Sequence, residues 1–556
     1  MSKKYQKLNI TTITIVIVIA FITRLVGINF GSPYTLQPDE TKIIEPSLTM
    51  SLNIKDSIKG VGEYPFFYIN FFFYPHLLYY ILILVIQIAK FIFIPFGLFP
   101  NLEKFDFYLM ARFLSVLVGT ATVFGVYLIS KMISKELKTG YFKTLPFLSS
   151  LIFAFSFLHV RQSHFYTGDV FATMWAVFST LFFFRFLKKS KKLDFILTFL
   201  FVGFGISSKY YPALLIPLFV LMLITVEKIN LRKVLQLIFL SLLFSAVGFL
   251  LFTPHLLTHT SEFLSAMKES SLRSKSGFMG ASSKDIFYYI YNKDKVIDDW
   301  YSMNNLVDGL GAGVLAVWLA GLTFVAVGFK DKRYSKRVIF YWLLIIIIPT
   351  TYYLFFSMYF SRHIRWLTIT TPFISILSAY GFLSIVQKFS FFRFSLLYLS
   401  FIFIFLFDQI YKVIKYDTAL TRGDTSIQAY NWITANIPKD AIILYESFGI
   451  HDLYQNGSYN LIQISHPRYN TNGEYYNHLP FDYNKFLEFN TIEYVVLSGG
   501  PKIRYSNPSS LKYFLKTASS WLDFYASIEK NSTFLKGFNP EEFGLTGYPV
   551  RIFKVN

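Results

Sequence analysis

Apolar runs long enough to cross a bilayer recur along most of this chain, and short loops rich in Lys and Arg separate them. A run of about 18 or more apolar residues is read as a spanning helix, because a helix satisfies its own backbone polar groups where water is absent. Candidate spans lie at 8–28, 106–130, 145–159, 170–187, 193–208, 210–226, 234–253, 310–329, 338–357, 366–387 and 394–412. Only 15% of residues are charged, against about 25% in a typical soluble domain. The expected fold is therefore a polytopic α-helical membrane protein with about eleven transmembrane helices. A net charge of +20 does not point to nucleic acid here, since the basic residues cluster in loops, where they set topology and meet anionic lipid. The chain has 0 cysteines, which excludes disulfides, thiolate metal sites and a thiol nucleophile. Met1-Ser2-Lys3-Lys4 before Ile10–Ile22 mimics a signal peptide, but no small-residue cleavage site follows, so the first helix is expected to be retained.

The basic clusters set the expected topology. They are Lys3/Lys4/Lys7, Lys131/Lys135/Lys138/Lys143, Lys188/Lys189/Lys191/Lys192, Lys228/Arg232/Lys233, Lys330/Lys332/Arg333/Lys336/Arg337 and Lys388/Arg393. Positive loops favour the cytoplasm, and placing all of them there leaves room for only two crossings before Lys131. The further apolar run 66–98, interrupted by Pro75 and Pro95, then lies on the outer face, re-enters from it, or folds its two halves into a hairpin. The alternative, a plain span with every later loop inverted, puts most basic clusters outside. The preferred reading gives a cytoplasmic N-terminus and an extracytoplasmic C-terminus in a cell (plasma) membrane. Long apolar runs stop near 412. In 413–556, the helical pattern Thr425–Asn436, the strand patterns Ala441–Tyr445, Glu493–Leu497 and Val550–Val555, and the helical pattern Leu511–Ile528 indicate a soluble α/β domain.

Chemistry-bearing residues collect on the expected outer face. Asp39 and Glu40 follow the first span within the loop 29–105, and a carboxylate there can serve as a general base. Helix capping is the competing role for this pair, and equally for Asp169 at the start of a later span. Lys209 sits alone in an outer turn beside Tyr210, and Arg362, His363 and Arg365 form a basic outer turn against the positive-inside bias, as cations gripping a phosphate would. His159 and His164 give only a weak metal signal. The segment Tyr74-Pro75-His76-Leu77-Leu78-Tyr79-Tyr80 reads in part as an interfacial aromatic girdle. The loop 254–309 has the length of a lid. No Walker A loop, dinucleotide fingerprint or HExxH motif is present. Polar groups at one face rather than at mid-membrane favour surface chemistry over the alternatives, a polytopic transporter or flippase, or an envelope-assembly protein.

In this order the pieces resemble the GT-C membrane glycosyltransferases, family 39-like, in the branch of protein O-mannosyltransferases and aminoarabinose transferases of bacteria and archaea. Pro38-Asp39-Glu40 follows the first helix; Tyr74 to Tyr80 resembles a Pro-Pro-Leu-x-Tyr segment with His76 in place of the second Pro. Ala111-Arg112-Phe113-Leu114-Ser115 opens the next helix, Ser163-His164 to Asp169 matches a second acidic turn, Gly203–Pro212 carries the Lys-Tyr pair, and Arg362 to Pro372 matches a late Arg-then-Pro stretch. Asn431-Trp432-Ile433, Asn436-Ile437-Pro438 and Tyr494-Val495-Val496 resemble members with an added outer domain, while the Trp-Trp-Asp motif of oligosaccharyltransferases is absent. The resemblance implies a GT-C catalytic domain over 1–412, with juxtamembrane helices in the loop 29–105, and the extracytoplasmic domain over 413–556. It implies a polyprenyl-phosphate-linked sugar as donor and a protein, lipid or glycan hydroxyl as acceptor. It casts Asp39 as base, with Glu40 and Asp169 orienting substrate. It gives the phosphate to Lys209, Arg362 and Arg365, and places Tyr74, His76, His164, Tyr210 and His363 against substrate. It requires no cofactor; a divalent cation is compatible with it but lacks support.

Overall fold

The computed structural model describes residues 3–34, 36–54, 58, 72, 74–92, 104–137, 141–226, 230–275, 286–291, 305–358, 363–389, 395–446, 458–464, 492–499 and 522–556. Each expected span falls largely on helix. Lys104–Leu137, Gly168–Lys189, Leu231–Phe252, Ala312–Lys330, Lys336–Ser357 and Ile364–Lys388 are long and apolar enough to cross a membrane. Thr11–Leu25, Phe142–Ala154 and Tyr211–Thr225 are shorter apolar helices. Asn230 and Ser335 start their helices by accepting the backbone N–H of Lys233 and Val338. The expected span 145–159 is not continuous: the helix Leu145–Ala154 stops at Phe155, and Phe157–Gln162 starts anew after Ser156.

Ile364–Lys388 is the centre of the bundle, with 94% of its apolar window buried, whereas Leu231–Phe252 turns most of its surface outward at 17%. Lipid offers no hydrophobic drive between helices, so close packing has to come from small residues. A Cβ on Gly381 would meet the Val317 carbonyl oxygen at 2.0 Å, which is how Ala312–Lys330 lies directly against Thr371–Lys388.

Two helices fill the described part of the loop 29–105. Pro38–Leu52 and Leu77–Ile92 pack on each other, with the Tyr79 hydroxyl donating to the Lys42 carbonyl at 3.0 Å and the Gln87 amide to that of Ser51 at 2.7 Å. They share an apolar cluster with the start of Lys104–Leu137, through Ile44, Leu82 and Tyr108.

The tail is an α/β domain on one sheet. Strands β1 (Ile442–Glu446), β2 (Asn460–Ile464), β3 (Tyr494–Ser498), β4 (Ser532–Phe538) and β5 (Val550–Val555) run in the order β2-β1-β3-β5-β4. The pairs β1/β2 and β1/β3 are parallel (Ile442↔Asn460, Ile443↔Tyr494); β3/β5 and β4/β5 are antiparallel (Val496↔Ile552, Phe534↔Phe553). The helix Thr425–Asn436 begins at Asp424, whose carboxylate accepts the Ser426 N–H at 2.9 Å. Residues 522–531 are helical, and the rest of the pattern Leu511–Ile528 lies outside the described residues. The tail meets the membrane part where Tyr430 packs on Tyr34, ring centroids 5.4 Å apart.

Candidate active site

Pro38 occupies the first turn of Pro38–Leu52, where its missing N–H costs nothing and its fixed φ suits a helix. Asp39 follows it. The cap position is Gln37, so Asp39 is not engaged as a cap, and its carboxylate instead receives the Arg365 guanidinium, Nη1 to Oδ2 at 2.8 Å. Asp169 likewise lies inside the first turn of Gly168–Lys189 after Thr167 and takes the Lys209 ammonium at 2.8 and 2.7 Å. Gly168 makes that pairing possible: a Cβ there would stand 2.3 Å from the Ser208 carbonyl oxygen, one residue before Lys209. Tyr211, not singled out in the sequence, donates to the same Asp169 oxygen at 3.2 Å.

The two ion pairs form one cluster. Burial alone would raise the Asp39 pKa, but the charges of Arg365 and Lys209 and hydrogen bonds from Arg365 and Tyr74 hold the carboxyl at about 2. The Tyr74 hydroxyl is pushed well above its ordinary range by burial and by the Asp39 charge. Burial draws the Lys209 ammonium down, and the adjacent Asp169 opposes the shift. Arg362 lies outside the described residues.

Glu40 sits elsewhere. Its carboxylate is fully buried against Arg112, with Nε to Oε1 at 3.0 Å and Nη2 to Oε2 at 2.7 Å, and also accepts the Tyr166 backbone N–H at 2.9 Å. Arg112 Nη1 spends its remaining donors on the carbonyls of Ile28 and Phe30, at 3.0 and 2.8 Å. Glu40 is thus a positioning residue that ties the start of Pro38–Leu52 to Lys104–Leu137, through Arg112 to the segment after the first helix, and to the turn before Asp169. His164 likewise turns to other partners. It is buried, with Nε2 2.9 Å from the Val26 carbonyl oxygen and Nδ1 3.0 Å from that of Val160, and Asp417 lies 3.5 Å away. His159 contacts Arg24 Nη2 at 3.1 Å. Among the described residues no group of three or more His, Asp or Glu side chains is placed to hold a metal ion.

His76 and Tyr210 belong to an aromatic wall that includes Phe72, His255 and Phe263. The His76 and His255 rings are 5.0 Å apart, Tyr80 meets His255 Nε2 at 2.9 Å, and Tyr210 bonds to the Phe72 carbonyl while its ring lies 5.9 Å from Phe263. His255 and Phe263 belong to the start of the loop 254–309, so that part of the loop packs on the wall. His363 is nearly buried, its ring 4.8 Å from Trp366, immediately before the turn Ile364–Thr370 that carries Arg365.

Residues 105–257 match the family described as dolichyl-phosphate-mannose-protein mannosyltransferase. Among solved structures, the archaeal oligosaccharyltransferase AglB from Archaeoglobus fulgidus, in complex with an inhibitory peptide and a dolichol-phosphate, aligns over 98% of this chain and 74% of its own. It does so at 13% identity with a TM-score of 0.52. ArnT from Cupriavidus metallidurans, bound to undecaprenyl phosphate, aligns over 98% of both chains at 11% identity with a TM-score of 0.51. By its matched segment and by its fold the chain is similar to these membrane glycosyltransferases. No curated protein matches the sequence significantly. The matched segment 105–257 contains Arg112, Asp169 and Lys209, and the fold match covers 98% of the chain, including the segments that carry Asp39 and Arg365.

Proposed function

We propose that this protein is a membrane glycosyltransferase of the GT-C class that moves a sugar from a polyprenyl-phosphate donor to an acceptor hydroxyl at the extracytoplasmic face, with Asp39 as general base and inversion at the anomeric carbon. The reading rests on one observation: two carboxylates and two cations, drawn from four separate segments, converge beside an aromatic wall. Solved relatives of the same fold hold a polyprenyl phosphate, which fits a site offering cations next to rings.

In the structure each cation is paired with a carboxylate. A phosphodiester entering between Arg365 and Lys209 competes for both. As Arg365 turns to the phosphate, Asp39 loses the charge that depresses its pKa and recovers basicity. The acceptor oxygen then attacks the anomeric carbon, its proton passes to Asp39, and the bond from that carbon to the phosphate oxygen breaks. Polyprenyl phosphate departs with one more negative charge than the donor carried, and Lys209 and Arg365 stabilise that charge in a partly dry site. Asp169 keeps Lys209 in place, and the isoprenoid lies along the wall of Phe72, His76 and Tyr210. The chain supplies its own cations, so chelation of divalent metal is expected to leave turnover unchanged.

The test is sugar release from short polyprenyl-phosphate sugars by the full chain in lipid. Turnover in the parent with a loss of about 10²–10⁴-fold in Asp39→Asn is expected. Retained donor anomer in the product linkage would refute inversion. Absence of both donor binding and turnover across the donor panel would favour transport.

A further inference from the structure

The end of the bundle away from Asp39 holds a second concave feature. Arg112 and Glu136 lie on the single helix Lys104–Leu137, separated by about 36 Å at the α-helical rise. At the far end a cavity of about 390 Å³ opens between the last turn of that helix, the turn Tyr141–Thr144, the loop joining Ala312–Lys330 to Lys336–Ser357, and the last turn of Thr371–Lys388. Its inner wall is aromatic and hydroxylic. Tyr334 and Tyr380 are hydrogen-bonded through their hydroxyls, and Tyr380 stacks on Phe142 with centroids 5.0 Å apart. Leu137, Phe324 and Val338 supply an apolar side.

Cations outnumber carboxylates around this cavity. Glu136 is held by Lys188 at 2.6 Å and by Arg337 at 3.6 Å, and Asp331 by Arg333. Lys388 has no carboxylate partner among the described residues; its ammonium lies 5.7 Å from the Phe324 ring centroid, at the mouth. The excess is therefore positive, and it sits at the helix ends that the basic loops assign to the cytoplasmic side. A cation-rimmed cavity between helices at that depth, with hydroxyls inside and an apolar flank, has the chemistry of a phospholipid headgroup site.

We propose that this cavity binds the headgroup of an anionic phospholipid from the inner leaflet. Lys388 and Arg333 take the phosphate, and the Tyr334/Tyr380 hydroxyls meet the polar end of the headgroup. The acyl chains leave along Leu137, Phe324 and Val338. Such a lipid joins the ends of four helices, of which Lys104–Leu137 carries Arg112 toward its other end and Thr371–Lys388 follows the turn that holds Arg365, so it is a structural ligand distinct from the donor.

Native mass spectrometry of the full chain in detergent, titrated with phosphatidylglycerol or with phosphatidylcholine, tests this. One phosphatidylglycerol is expected to be retained at least 10-fold more tightly than phosphatidylcholine. Arg333→Gln with Lys388→Gln should abolish that preference, while Lys189→Gln with Lys191→Gln, which removes the same charge elsewhere, should preserve it. Ser384→Leu, which fills the cavity and leaves every charge in place, should also weaken retention about 10-fold. An unchanged preference in both cavity variants, or an equal loss in the control variant, overturns the proposal. Glycerol 3-phosphate at equal concentration should fail to displace the lipid. Displacement would assign the site to a soluble phosphate and overturn the lipid assignment.

Discussion

Asp39 and Glu40 are adjacent in sequence, yet they face different partners. Asp39 is partly exposed and meets Arg365 across the site; Glu40 is sealed against Arg112. Removing one partner of a buried pair strands the other charge, so Arg112→Met should destabilise the fold by about 3–5 kcal/mol. Adding Glu40→Leu should recover part of that loss, and a double-mutant cycle of thermal unfolding reads the coupling. Additive single effects would contradict the pairing. For Asp39 the sign of the pH effect follows from its depressed pKa. The ion pair stabilises the fold fully above about pH 4 and is lost only as pH falls toward 2. The kcat/KM profile reports the free enzyme, so it should show no acidic limb from Asp39 between pH 5 and 8. A limb in that range that moves in Asp39→Glu would contradict the assignment. The sequence showed the carboxylates and cations but not their partnering. Arg365 stands 326 residues from Asp39, and no local pattern carries a contact of that separation. Arg112 was legible only as the start of a helix, because nothing in Ala111-Arg112-Phe113 announces that its side chain points at Glu40.

Elements differ in how plainly they are written. The strands β1, β3 and β5 are buried and rich in Ile and Val, and the sequence reveals them. Strands β2 and β4 lie at the sheet edges; β4 is mostly exposed and shifts register between Phe534 and Lys536, so neither shows a clear alternation. The break in 145–159 is invisible to hydropathy because the residues around it, Phe153-Ala154-Phe155-Ser156-Phe157-Leu158, keep the run apolar. Two elements give sharp tests. Gly168→Ala should push the start of Gly168–Lys189 off Ser208 and separate Asp169 from Lys209. A displacement of about 1 Å at such a site costs about 10²-fold in turnover. Unchanged kcat in the Ala variant would show that the close approach is not needed. In the tail, Glu446 ends β1 and is buried beside Ser498 and hydrogen-bonded by Tyr525, and burial raises its pKa to about 8. The folded carboxyl therefore keeps its proton where an unfolded one loses it. Its contribution is complete below about pH 4.5 and is lost as pH rises from there through 8, by an amount on the order of 5 kcal/mol. Hydrogen exchange of β1 and β3 amides, corrected for intrinsic rates, should show protection falling from pH 6 to 9 in the parent. A parallel fall in Glu446→Gln would remove Glu446 as the cause.

At the scale of the whole molecule, the positive loops and the reactive residues belong to opposite ends of the same helices. Gly168–Lys189 is about 33 Å long, close to the hydrocarbon thickness of a bilayer, with Asp169 at one end and Lys188 at the other. Glu136, at the end of Lys104–Leu137, binds both Lys188 and Arg337. Three basic loops far apart in sequence therefore share one face, and Arg112, Asp169 and Lys209 share the other. The charge pattern required this segregation, and it was legible because topology signals are additive along a chain whereas side-chain partners are not. Orientation relative to the cell is the remaining step, and the sequence makes it direct to measure: with 0 native cysteines, every introduced thiol is unique. Lys191 and Lys439 are both exposed, the first beside the positive face and the second in the tail. In intact cells a membrane-impermeant maleimide should label Lys439→Cys at once, and Lys191→Cys only after permeabilisation. The reverse order would invert the chain, place the Asp39 cluster in the cytoplasm, and remove the basis for chemistry at the extracytoplasmic face. Labelling of both thiols in intact cells would be incompatible with either orientation, because the helix between Asp169 and Lys188 is long enough to put them on opposite sides.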